Sequence, residues 1–132
     1  MVVREGMTPA VVTVGPGHML REAARRMANS RVGAAIVIDP EQQGPGIITE
    51  RDVMEALAAG CDPDQEPVRD HLTKEVVFAT PEWPLEEAAA TMVRHNFRHL
   101  VVLERGEIVG VISVRDILRC WTAAGAVPAA TA

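Results

Sequence analysis

Apolar residues recur along this chain in one order, twice. Leu20, Ala23, Ala24, Met27 and Ala28 fall at helical spacing, and so do Leu85, Ala88, Ala89, Met92 and Val93. A short apolar run precedes each set, Val11 to Val14 and Val76 to Ala79, and reads as a strand. After each set come "AAIVI" (34 to 38) and "LVVL" (100 to 103), short and rich in β-branched residues, then a turn with Gly44 and Gly46 or with Gly106. A second apolar run follows, ending in "GIITERDVM" (46 to 54) or "GVISVRDIL" (110 to 118), so each half contains a hairpin. Val53 to Ala59 and Ile117 to Ala123 are good helix formers, with Gly60 and Gly125 as stops. The pattern predicts β-α-β-β-α, written twice, in an α/β (α+β) fold.

The repetition extends beyond the elements to individual residues. Shifted by 65 positions, "MTPAVVTVGPGHMLREAARRM" lies over "LTKEVVFATPEWPLEEAAATM", matching Thr8 with Thr73, Leu20 with Leu85, Glu22 with Glu87 and Met27 with Met92. The shift falls to 64 in the hairpin turn, where length changes are tolerated. The repeats are expected at 1–62 and 63–122, joined through "GCDPDQEPVRDHL" and followed by a flexible tail at 123–132. Units of about 60 residues are marginal alone, so the two repeats are expected to pack with pseudo-twofold symmetry.

Composition narrows the chemistry. The 132 residues carry a formal net charge of −5, and no local run of Lys and Arg offsets it, which argues against nucleic acid as a partner. No apolar stretch approaches the roughly 20 residues of a membrane span, and the N-terminus lacks the flank and apolar stretch of a secretory signal. The expectation is a cytoplasmic protein with no membrane partner. Cys61 and Cys120 are far apart, read as buried or idle thiols, and His18, His71 and His95 show no metal spacing, so no metal ligand is assigned. No nucleophile–base arrangement points to an enzyme.

The repeated phrase pairs a hydroxyl with an acid three residues on, Thr49 with Asp52 and Ser113 with Asp116, where a strand gives way to a helix. Two readings are open. The pairs suit helix caps, although a reciprocal capping box prefers the longer Glu or Gln to the Asp found in both copies. They also suit a ligand: helix N–H groups favour phosphate, and a carboxylate accepts from sugar hydroxyls. Arg51 and Arg115, on the first helical turn, read as surface ion-pair residues as readily as phosphate contacts.

The duplicated order of "MTPAVVTV" and "LTKEVVFA", "RHLVVL", "GIITERD" and "GVISVRD" resembles a tandem pair of CBS domains, also called a Bateman module. The stretch "ERDVMEALAAGCDPD" further resembles stand-alone CBS-pair proteins. The resemblance covers residues 5 to about 121. It implies a non-catalytic regulatory or sensor module with no obligatory cofactor, binding an adenosine-type ligand such as AMP, ADP, ATP, NAD or S-adenosylmethionine in the cleft between the repeats. Carried onto this chain, Asp52 and Asp116 would hold ribose and Thr49 and Ser113 would meet ribose or phosphate. Val12, Thr13, Ala35, Val77 and Leu100 would bracket the base, and Arg98 and His99 would meet phosphate. Gly33 and Ala34 stand at the first copy's counterparts of Arg98 and His99, which favours one phosphate-competent site over two. A homodimer and an effector protein of unknown identity are the implied partners. The alternative is a structural or oligomerisation module with no nucleotide ligand.

Overall fold

The computed structural model describes residues 1–9 and 11–125. The expectation of a flexible tail therefore falls, from residue 126 onward, outside the described residues. The chain forms two compact units, Val11–Val76 (the first-repeat unit) and Met1–Ala10 with Val77–Ala132 (the second-repeat unit).

In the first-repeat unit, β1 (Thr13–Val14) leads to α2 (Leu20–Ser30), followed by the hairpin β2 (Ala34–Val37) and β3 (Gly46–Thr49) and by α3 (Glu50–Ala58). The sheet order is β1-β2-β3, with β1 parallel and β3 antiparallel to β2. All four β2 residues are buried, and Ala35 and Val37 share one core with Leu20, Ala23, Met27 and Ala56 from the helices. This is the aliphatic core that the helical periodicity predicts. A 3-10 turn at Val68–Asp70 completes the unit: Val68 is 0 % exposed, and its amide donates to His18 O at 2.8 Å.

The second-repeat unit repeats the plan. Its elements are β4 (Phe78–Ala79), α4 (Leu85–His95), β5 (His99–Glu104), β6 (Glu107–Ser113) and α5 (Val114–Ala123), with sheet order β4-β5-β6. Here the extra turn is α1 (Val3–Gly6), drawn from the N-terminus. Val3 is 0 % exposed among Leu85, Leu100, Ile112 and Ile117, and its amide donates to Trp83 O at 2.8 Å. Trp83 and Trp121 pack partly buried against that same core. Both helices α2 and α4 end on left-handed residues, Arg31 and Asn96, whose amides close the last turn.

The glycine that opens each repeated phrase has a steric reason. Thr8 bridges Val111, and Thr73 bridges Ile47, so an extended backbone crosses β6 and β3 beside those glycines. A Cβ on Gly110 would lie 2.8 Å from Thr8 O, and one on Gly46 would lie 2.9 Å from Leu72 Cδ1. The two contacts differ in kind: a leucine terminus can rotate away, whereas a paired carbonyl cannot. Gly110→Ala is therefore expected to destabilise by about 1–3 kcal/mol, the range for overpacking, and Gly46→Ala by less. Denaturant melts of the two variants check this order.

Candidate ligand-binding site

Each repeated phrase ends at a helix start, and the structure shows how those residues are used. In α3 the Thr49 hydroxyl accepts from Asp52 N at 3.2 Å, and the Thr49 amide donates to Asp52 Oδ2 at 2.9 Å. In α5 the Ser113 hydroxyl accepts from Asp116 N at 3.1 Å, and the Ser113 amide donates to Asp116 Oδ2 at 2.9 Å. Both are complete reciprocal capping boxes. The preference of such boxes for the longer Glu or Gln does not keep Asp from closing them here: with the N-cap backbone extended (φ −115° and −111°), Asp spans the gap. The helices accordingly begin at Glu50 and Val114, each three residues earlier than the apolar pattern indicated.

The first amide of each helix is also occupied. Glu50 N donates to Gly33 O at 2.9 Å, and Val114 N donates to Arg98 O at 3.0 Å. Arg98 and Gly33 thus do the same backbone work in the two copies, while the Arg98 side chain stays exposed. His99 is half-buried and lies opposite Ser113 in the β5–β6 ladder, so the second-repeat unit gathers Arg98, His99, Ser113 and Asp116 at one sheet end.

What remains for a ligand is the second carboxylate oxygen, and here the copies differ. Asp116 is 6 % exposed, and its Oδ1 accepts from Arg119 Nη1 at 3.2 Å. Asp52 is half-buried, with Thr73 Oγ1 at 3.4 Å from its Oδ1 and no arginine in the corresponding place, since Glu55 stands there. Neither Arg119 nor Thr73 is visible in the repeated phrase read alone. Arg119 lies one helical turn beyond Asp116, and Thr73 arrives from a distant segment. Arg51 pairs with Glu55 at 2.9 Å on the surface, the ion-pair role the spacing suggested.

The base-bracketing positions divide into two kinds. Val12 and Val77 are half-buried, and their carbonyls accept from Ile36 N (2.8 Å) and Val101 N (3.1 Å). Thr13 is exposed, with its carbonyl taken by Arg26 Nη1 at 2.8 Å. Ala35 (1 % exposed) and Leu100 (0 %) have their side chains in the two cores, so only their backbone is available to line a site.

One further cluster stands in the first-repeat unit. Cys61, Glu66 and His71, all half-buried, bring a thiol, a carboxylate oxygen and a ring nitrogen within 4.8 Å of one another. Partial burial pushes the Cys61 thiol above its ordinary pKa, and the adjacent Glu66 carboxylate adds to the rise. Among the described residues no helix is long and apolar enough to cross a membrane.

The CBS-domain family model matches residues 3–59 and 68–122, and the chain belongs to that family as a tandem pair. It is 34% identical to the CBS domain-containing protein YhcV of Bacillus subtilis over 87% of this chain and 81% of that one. It is 38% identical to an uncharacterised Methanocaldococcus jannaschii protein over 89% of this chain, and the matched part is 41% of that relative's length. Among solved structures, hexameric CBS-CP12 protein from bloom-forming cyanobacteria aligns with TM-score 0.83 and 32% identity, covering 89% of this chain and 69% of that one. A Pyrobaculum aerophilum CBS domain protein complexed with AMP aligns with TM-score 0.77 and 30% identity, covering 93% and 99%. Hypoxic Response Protein I with two coordinated zinc ions aligns with TM-score 0.71 and 27% identity, covering 90% and 98%.

Proposed function

We propose that this CBS pair is a regulatory module whose ligand carries an adenosine group (AMP, ADP, ATP, NAD or S-adenosylmethionine), with the α5 start of the second-repeat unit as its principal anchor. The observation that carries the reading is the buried Asp116 carboxylate, fixed by the amide of Ser113, which pairs in the ladder with His99, the first residue of β5, just after Arg98. A fixed carboxylate accepts from vicinal ribose hydroxyls, and a guanidinium at the strand entrance complements phosphate. The AMP complex of the Pyrobaculum protein, similar to this chain over nearly its whole length, supports the ligand class. CBS-domain proteins are in general regulatory and non-catalytic, and the chain is read here in the same way. Binding would act by favouring one of two states of the module, to be sensed by a second copy or an effector protein.

Titration calorimetry with AMP, ATP, NAD and S-adenosylmethionine tests the reading. The expected result is a stoichiometry near one ligand per chain, with Arg98→Ala weakening ATP more than AMP. Two ligands per chain would remove the inequality drawn from Gly33 and Ala34. No heat and no thermal shift with any of the four would favour the second reading, a structural or oligomerisation module. That reading has its own support, because both hydroxyl–Asp pairs are fully engaged as caps.

We further propose a homodimer. Met54 and Leu57 on α3, and Val114 and Leu118 on α5, are large apolar residues left exposed, the kind of surface that subunit interfaces cover. Light scattering at rising protein concentration is expected to give twice the chain mass. A monomer throughout, or a hexamer like the CBS-CP12 protein, would overturn the assignment.

A further inference from the structure

The segment from Cys61 to His71 does something that the repeat does not require. Shifted by 65 residues, the counterpart of His71 is Gly6 and that of Glu66 is Met1, so the second copy builds the same plan without either side chain. In the first-repeat unit the backbone at all three positions is fixed by hydrogen bonds. Cys61 N donates to Ala56 O at 3.0 Å, Glu66 O accepts from Leu20 N at 2.9 Å, and His71 N donates to Val68 O at 3.0 Å. The three side chains therefore converge from anchored points, and Cys61 packs against the buried core of the unit.

We infer that Cys61, Glu66 and His71 form a binding site for a zinc-type divalent cation. The donor set decides the class: thiolate, imidazole and carboxylate together suit Zn(II), whereas Mg(II) and Ca(II) take oxygen donors. The spacing is near what such an ion needs. Bond lengths of about 2.0–2.3 Å place tetrahedral donors roughly 3.3–3.6 Å apart. Glu66 Oε2 and His71 Nε2 already stand 3.1 Å apart, and all three donor atoms lie within 4.8 Å, so rotation of half-buried side chains closes the set without moving the backbone. Three protein donors leave the fourth position to water. In the metal-free cluster the thiol proton sits beside a carboxylate; a bound dication replaces that proton and makes the Glu66 charge an attraction, with the proton released to solvent.

The test uses the full chain, reduced and stripped of metal, with Co(II) as the spectroscopic probe and Zn(II) as the competitor. One Co(II) per chain is expected, with an intense near-ultraviolet thiolate-to-cobalt band and the visible bands of a four-coordinate ion, both displaced by Zn(II). Cys61→Ser should abolish the thiolate band, Cys120→Ser should leave it, and His71→Ala should weaken binding by at least about tenfold. Peptide mapping of wild-type protein after iodoacetamide treatment gives a readout that needs no variant. Zinc should slow alkylation of Cys61 by at least about tenfold and leave Cys120 unchanged, because a metal-held thiolate is no longer free to attack. Absence of a thiolate band, its retention in a folded Cys61→Ser protein, or equal alkylation of Cys61 with and without zinc would overturn the site.

Discussion

Removal of residues 1–9 is expected to unfold the second-repeat unit while leaving the first largely intact. The deletion takes Val3 out of the core around Leu85, Leu100 and Ile112 and strips the Thr8 pairing from Val111. It also removes the acceptor of the Leu85 amide, Met1 O, at the start of α4. A fully buried valine contributes about 1.5–3 kcal/mol, and each backbone hydrogen bond adds about 1 kcal/mol. The sum, roughly 3–6 kcal/mol, is a large share of the 5–15 kcal/mol by which a whole domain is ordinarily stable. Hydrogen exchange resolves the outcome by segment: protection should collapse in β5 and β6 and persist in β2 and β3. A truncated chain with unchanged melting temperature and unchanged β5–β6 protection would show that α1 is not part of that unit's core.

The second large effect is expected at Asp116, where two roles separate by choice of substitution. Asp116→Ala leaves the part-buried Ser113 amide without its partner, at a cost of about 1–3 kcal/mol, while the Ser113 hydroxyl still accepts from the backbone amide of residue 116. Asp116→Asn keeps an oxygen facing that amide and should melt close to wild type. It nevertheless loses the charge. Hydrogen bonds to a charged group contribute about 1.5–3 kcal/mol against about 0.5–1.5 kcal/mol for neutral ones, so AMP affinity should fall by about tenfold in the Asn variant. Calorimetry and thermal melts on the pair give the answer. If Asp116→Asn binds AMP as wild type does, the carboxylate serves the cap alone.

Much of this architecture is written in local pattern. The helices α2 and α4 follow from Leu20, Ala23 and Met27 and from Leu85, Ala88 and Met92, because those residues cover a sheet face and nothing else at that spacing does. The hairpins follow from β-branched runs broken by glycine. The turns at Val3–Gly6 and Val68–Asp70 were not legible, since four and three residues carry no periodicity and nothing local to "VREG" names the core it enters. The capping geometry was only half legible. The hydroxyl–Asp spacing marked the helix start, yet the reach of Asp depends on the extended N-cap backbone, which a residue type does not announce. The Cys61, Glu66 and His71 cluster was hidden for a related reason: donors five positions apart match neither helix nor strand, and only the succession of turns between them folds the three side chains together.

The embedding of Val3 in the second-repeat unit has a consequence for how the chain is made. Val11–Val76 is one uninterrupted stretch, so every residue it needs has been synthesised once position 76 is translated. Its β1-β2 and β2-β3 ladders join near neighbours in sequence, the condition under which folding is fast. Val3, translated well before them, waits for partners as distant as Ile117. During that interval an apolar turn stays unsheltered, while the other unit can already be complete. Synthesis thus imposes an order on two near-identical folds: the repeat that the chain writes in one piece forms early, and the one divided between both ends of the core sequence forms last.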